Sequence, residues 1–271
     1  MKQIKINEST YKLISSFTEM TKEQFLTIAK FRMQFIHKEA NLVEFNAIRI
    51  PTFALLSDVP IEIQNKITAE EWVDILPFVN FALLDVPDFK TNLLSAVKFK
   101  DSALYGPTGL MDKCTADEFT RIDTAFVRAS NGKDVDGLAQ MFAFMYRPQK
   151  KNLKEFINSD FWNGDVREEF NAEKCKARIE VIKKLPMEYL IANYLYFSSV
   201  RKQRFEVLRY LFQEVESKIH MDDRGWAGSM LQLSHSGVFG DFDRQMKQNW
   251  FTVMVEMDRL SEQNIKQNIE K

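Results

Sequence analysis

The chain has 271 residues, 45% of them hydrophobic, with 23 Phe and 12 Met against only 9 Gly and 7 Pro. That length can bury one large core or two small ones, and the scarcity of breakers favours helices over a turn-rich sandwich. A formal charge of −1 supplies no global field toward nucleic acid or an anionic membrane, and no apolar run reaches the roughly 18–20 residues of a bilayer span.

The opening MKQIKINEST alternates and is polar, unlike a secretory signal. Ile4 and Ile6 fall on one face of KQIKI, and Tyr11 and Leu13 on one face of TYKLI, so a hairpin with an Asn-Glu-Ser turn is expected within the first seventeen residues. T-K-E-Q at 21–24 has the capping-box pattern, and Phe25, Ile28, Ala29, Met33 and Ile36 follow at helical spacing. A helix over 40–56 is expected to bend or break at Pro51. Thr68 and Glu71 open another, running to about Leu84 and accommodating Pro77. KTNLLSAVKFKDSALYGPTGL reads as strands at 96–99 and 103–105 around a Lys-Asp turn, closed by Gly-Pro. These strands are expected to share one small antiparallel sheet with the first hairpin.

From there the pattern is helical. Thr115 to Glu118 is a third capping box, for a helix through about Arg128. Asp134 caps a helix over 135–147, ended by Pro148, in which Leu138, Met141, Phe142, Met145 and Tyr146 share a face widened by Ala143 and Phe144. Arg147, Lys150 and Lys151 follow, where cations meet the helix dipole. A short segment near 152–160 precedes helices at 172–185 and 187–219. In the latter, Tyr194, Phe197, Phe205, Leu208, Phe212 and Val215 form a stripe with Arg201 as its polar exception. Helices at 224–235 and 241–268 close the chain, the last with Phe242, Met246, Trp250, Val253, Met257 and Leu260 on one face. The expected fold is mainly α, a bundle-like array of about ten helices with a small antiparallel sheet from the N-terminal hairpin and the 94–106 segment. Residues 1–113 and 114–271 are its two regions, or pack as a single domain.

Reactive groups are sparse. Cys114 and Cys175 have no CxxC partner and read as small buried residues in a reduced cytosolic setting. His37, His220 and His235 show no metal-ligand spacing. The nearest approach to a metal or enzyme site is His220 with Asp222, Asp223 and His235, but capping of the helix near 224 by either aspartate is the simpler account. NGKDVDG fails as a calcium loop, because Gly132 and Ala143 occupy its first and twelfth positions. There is no phosphate-binding glycine loop; GVFGDFD (237–243) reads as a tight turn into a capped helix, and Ser229 has no evident base. RKQR (201–204) puts Arg201 and Arg204 on one face. Arg201 within an apolar stripe implies either a buried ion pair or a docking point. No catalytic residue, metal or cofactor is expected. Arg201, Phe205, Trp226 and Trp250 are the residues expected to meet a protein partner through Phe- and Met-rich surface.

MKQIKINESTYKLISSFTEMTKEQFLTIAKFR resembles the opening of many bacteriophage and prophage tail-assembly proteins: a hairpin, a Ser-Phe or Ser-Trp step, then a T-x-x-Q helix start. LYGPTGLMDKCTADEFTRIDTAF and LAQMFAFMYRP are similar to a family of helical proteins from phages and prophages of Bacteroidota-type hosts. In that family a Gly-Pro strand end precedes a T-x-x-E-F helix and a Tyr-Arg-Pro helix end. GWAGSMLQLSHSGVFGDFD followed by NWFTVMVEM is similar to its closing pattern. This chain departs from the pattern in lacking an Asn-Gly turn in the first hairpin and in carrying Cys114 before Thr115. The resemblance implies a non-enzymatic morphogenesis protein made in the host cytoplasm, a chaperone for the tail tape-measure protein. Its alternative is a virion component such as a ring or head–tail connector subunit. It implies no cofactor, nucleic acid or membrane, and does not set an oligomeric state.

Overall fold

A computed structural model describes residues 1–36, 42–99, 102–132, 134–160, 162–212 and 225–269. The fold is mainly α, as composition requires, and divides into two compact units: Met1–Leu94 with Lys184–Val200, and Ser95–Lys183 with Arg201–Lys271. The expected boundary between 113 and 114 lies inside the second unit.

In the first unit, Asn7 and Glu8 both adopt positive φ (48° and 68°) and close a two-residue turn between β1 (Lys2–Ile6) and β2 (Ser9–Leu13). Such turns match the right-handed twist of a hairpin. Ile4, Ile6 and Leu13 are buried. Both halves of the Thr21–Gln24 box form, Thr21 N–H donating to Gln24 Oε1 (2.9 Å) and Gln24 N–H to Thr21 Oγ1 (3.2 Å), and they start α1 (Lys22–Ile36). α2 (Leu42–Leu56) runs through Pro51 without ending. After α3 (Ile61–Gln64), the complete Thr68–Glu71 box opens α4 (Ala69–Ile75). Pro77 cannot sustain an α ladder, so Leu76–Val79 tightens to 3-10 geometry before α5 (Asn80–Leu84). The single helix expected over this stretch is therefore three pieces. Arg32 of α1 caps the last of them: its Nε donates to Ala82 O (2.7 Å), and its Nη2 to Phe81 O (3.1 Å) and Asp85 O (2.6 Å). Burial lowers its pKa to about 10, with Asp85 opposing the shift.

In the second unit, β3 (Ala96–Phe99) and β4 (Ser102–Tyr105) pair with each other. The strands thus form two separate two-stranded sheets, not the shared sheet expected. The Lys-Asp turn between β3 and β4 lies outside the described residues. α6 (Ala116–Gly132) packs on α7 (Val135–Met145), whose N-terminus is capped by Asp134 Oδ1 accepting from Asp136 N–H (2.9 Å). From Gly137 on, α7 is buried on every side except at Gln140, with Gly137 and Ala139 as buried as the expected face and its Ala143 and Phe144 extension. Gly137 permits the close approach of α6: a Cβ there would lie 3.1 Å from Ala129 N and 3.2 Å from Ala125 O.

α7 ends ahead of Pro148, and Tyr105 and Arg147 exchange backbone hydrogen bonds (2.8 and 3.1 Å), fixing the outgoing chain to β4. α8 (Leu153–Ile157) follows, then α9 (Ala172–Ala177) and α10 (Ile179–Ile182), which replace the continuous helix expected over 172–185. α11 (Met187–Phe205) belongs to the first unit through Val200 and to the second from Arg201. It stops at Phe205, not 219; the backbone N–H groups of Tyr210 and Leu211 both donate to Asp258 Oδ1 (2.7 Å each), a remote carboxylate that takes up amides a helix would have used. The expected stripe beyond Phe212, including Val215, lies outside the described residues.

α12 (Trp226–Ser234) leads to α13 (Phe242–Met246), which Asp241 caps by accepting from Arg244 N–H (2.8 Å), as read from GVFGDFD. α14 (Trp250–Ile269) is separate from α13 because Asn249 caps it, accepting from Phe251 N–H (3.0 Å) while its own amide donates to Asp112 O (2.7 Å). Among the described residues no helix is long and apolar enough to cross a membrane.

Candidate functional site

The second unit holds a cleft of about 1530 Å³, lined from α6, α12 and α13, the segment 163–170, and single residues of other elements such as Arg201 of α11. Its floor is ionic. Glu118 of α6 is 1% exposed, and its Oε1 receives Arg147 Nη1 (2.8 Å), Arg167 Nη1 (2.9 Å) and the thiol of Cys114 (3.2 Å). Asp165 binds Arg167 through Nη2 to Oδ2 (2.8 Å) and Nε to Oδ1 (2.9 Å), and lies 3.6 Å from Arg147 Nη2. Two guanidiniums and two carboxylates therefore neutralise one another out of water, where an unpaired charge would cost several kcal/mol. Backbone carbonyls take the remaining donors: Arg167 Nη1 to Met145 O (2.8 Å), Arg147 Nε to Glu168 O (3.0 Å) and Arg147 Nη1 to Phe144 O (3.2 Å).

The titration directions follow from this packing. Burial alone would raise the Asp165 carboxyl, but hydrogen bonds and charge from Arg167, with Arg147 adding charge, hold it below the ordinary carboxylate range. Burial works to lower Arg167, and Glu118 with Asp165 overcomes it, raising the guanidinium well above its usual value. Burial, then the charge of Glu118, pushes the Cys114 thiol far up, so it stays a neutral donor. Cys114 is buried as expected, yet it is a hydrogen-bonding member of the floor, accepting from Arg167 Nη2 (3.4 Å), and not simply an apolar filler.

Two of these side chains, besides Cys114, were visible in the sequence under other roles. Glu118 reads as the closing residue of a capping box; Thr115 Oγ1 does accept from Glu118 N–H (3.2 Å), but the carboxylate Oε1 serves the arginines. Arg147 reads as a dipole cap and does reach Phe144 O, but it is 2% exposed and paired to Glu118. Asp165 and Arg167 carry no local signal beyond an Asp-x-Arg turn, in which Asp165 Oδ1 accepts from Arg167 N–H (3.0 Å).

The aromatic wall gathers the residues expected to meet a partner. Phe119 stacks on Trp250 (centroids 4.0 Å, 5° between planes) and meets Phe205 and Trp226 edge-on at 6.3 and 6.1 Å. Asp123, with a side chain 3% exposed, accepts Arg201 Nε at Oδ1 (2.8 Å) and the Trp226 indole N–H at Oδ2 (2.7 Å). The Arg201 guanidinium lies over Phe205 (4.5 Å) and Phe126 (5.7 Å). Phe212 stacks on Phe205 at 4.3 Å and is 37% exposed. Arg201 thus forms the ion pair that its place in an apolar stripe implies, though its own side chain is 36% exposed. Trp250 presents no surface at all: it is 0% exposed, its indole donating to Met111 O (2.9 Å), because the break before α14 turns it inward.

Of the remaining sequence candidates, His37, His220, Asp222 and Asp223 lie outside the described residues. His235 is exposed at the C-terminus of α12. Cys175 is buried and accepts from Arg178 Nη2 (3.3 Å). Among the described residues no group of His, Cys, Asp and Glu side chains is disposed to hold a metal ion. No family model, curated protein or solved structure matches the chain. What the cleft offers an incoming molecule is a buried, self-neutralised floor beneath half-buried rings and thioether: Phe170, Trp226, Phe242, Met246 and the exposed edge of Phe212.

Proposed function

We propose that the chain is a non-enzymatic phage morphogenesis protein, a tail-assembly chaperone whose second-unit cleft holds an apolar helical segment of its client, the tape-measure protein. One observation supports this reading above others. The deep ionisable groups of the cleft are spent on each other, while its rings and Met246 remain partly open. Such a surface favours adhesion through aromatic and methionine contacts, the mode by which an amphipathic helix is held in a groove. The resemblance of the opening, Gly-Pro and Tyr-Arg-Pro stretches to tail-assembly proteins supplies the biological setting.

A chaperone leaves before the particle is complete, whereas a ring or connector subunit stays in it. Quantitative mass spectrometry of purified particles and of the assembling lysate separates the two. The chain is expected in the lysate, bound to the tape-measure protein, and absent from particles. Recovery from particles in the copy number of a ring would replace the chaperone role with a structural one.

A further inference from the structure

The Asp123–Arg201 pair is asymmetric in its access to water. The carboxylate is 3% exposed and the arginine 36%, so the end that faces the cleft is a donor. Asp123 occupies Nε of Arg201, and the rings of Phe205 (4.5 Å) and Phe126 (5.7 Å) pack against the guanidinium. Among the described residues no acceptor takes its two terminal nitrogens, which leaves a fork of the geometry that matches a carboxylate in bidentate fashion. Apolar surface begins beside that fork: Phe205 carries Phe212 at 4.3 Å and Trp226 at 6.2 Å. The rest of the lining leans the same way. Among the described residues, Lys113 and Lys247 have no carboxylate partner, and Lys150 is held by a carbonyl and an amide, against Glu169 and Asp243 on the acidic side.

We propose that Arg201, Phe212 and Trp226 form a recognition point for an acidic amphipathic helix. A carboxylate of the partner accepts from both terminal N–H groups of Arg201, and a large apolar side chain one helical turn away packs on Phe212 and Trp226. This rests on the client-holding role proposed above and names the chemistry by which the client is chosen. Side chains three or four apart on a helix lie on one face, about 5–6 Å from one another, so a single turn of the partner can present both groups.

The test is fluorescence anisotropy with the full chain and two labelled synthetic helices. Both carry leucine along one face; one has glutamates beside that stripe, the other lysines at the same places. A labelled oligothymidine is the third probe. The glutamate helix is expected to bind at least about tenfold more tightly than the lysine helix. Arg201→Gln is expected to abolish that preference, Arg201→Lys to retain part of it because the charge survives and the fork does not, and Phe212→Ala to weaken both helices alike. Thermal unfolding of each variant shows whether the fold is intact, and the Phe212→Ala arm keeps the test decisive if Arg201→Gln unfolds. Equal binding of both helices would overturn the acidic recognition while leaving client holding intact. Tighter binding of the oligothymidine than of the glutamate helix would assign the cations to nucleic acid and overturn it as well. Failure of the glutamate helix to bind would also remove this inference, whereas client holding is judged separately by co-recovery of the tape-measure protein.

Discussion

Replacing Arg167 by Met would leave Glu118 and Asp165 with one guanidinium between them, in a place where both arginines are 2% exposed or less. Because water cannot screen the stranded charge, the expected cost is about 3–5 kcal/mol, read from urea unfolding at neutral pH. A loss below about 1 kcal/mol would mean that the floor is solvated. The depressed Asp165 carboxyl gives a second expectation. A carboxylate whose folded pKa lies below its unfolded value contributes stability that is fully present above the unfolded value. That contribution is lost as pH falls through the folded one. The wild-type chain should therefore lose stability progressively below about pH 4, the ordinary aspartate range. Asp165→Asn, weaker at neutral pH, should have a flatter profile there; parallel profiles would show that another group governs the acid limb. None of this cluster was legible as a cluster. Glu118 and Arg167 are 49 residues apart, and the local roles that each residue type can play, box and cap, account for the letters without the pairing.

At the scale of elements, local chemistry was legible and remote chemistry was not. The Thr21 and Thr68 boxes, the Asp134 and Asp241 caps and the end of α7 before Pro148 follow from neighbours in sequence. The end of α11 depends on Asp258, and the break before α14 on Asn249 bonding to Asp112; neither site contains Gly or Pro to announce it. The α6–α7 contact offers the sharpest test of helix packing. In a loose pair, Gly137→Ala would stabilise by about 1 kcal/mol through helix propensity. Here the added Cβ meets backbone of α6 at 3.1–3.3 Å, so the variant is expected to be destabilised by about 1–2 kcal/mol in chemical denaturation. A stabilised variant would show that the two helices can part at no cost.

For the whole molecule, composition was enough to give a mainly α chain, because few breakers and many long side chains leave little else. The division into units was not legible. A segment of α11 joins the first unit from far along the chain, and sequence distance carries no trace of that. Of the four residues singled out for a partner, Arg201, Phe205 and Trp226 converge around Asp123 and Phe119, whereas Trp250, drawn from the stripe of the last helix, supports them from inside.

The central claim is that a client segment lies in the second-unit cleft during assembly. Site-specific photo-crosslinking tests it most directly, with a photo-reactive residue placed at Phe212 on the cleft and, separately, at Val255, an exposed position on α14 that does not line it. The expected result is a crosslink to the tape-measure protein from position 212 and none from 255. Equal yields from both positions, or no adduct from 212 in an assembling lysate, would contradict the account.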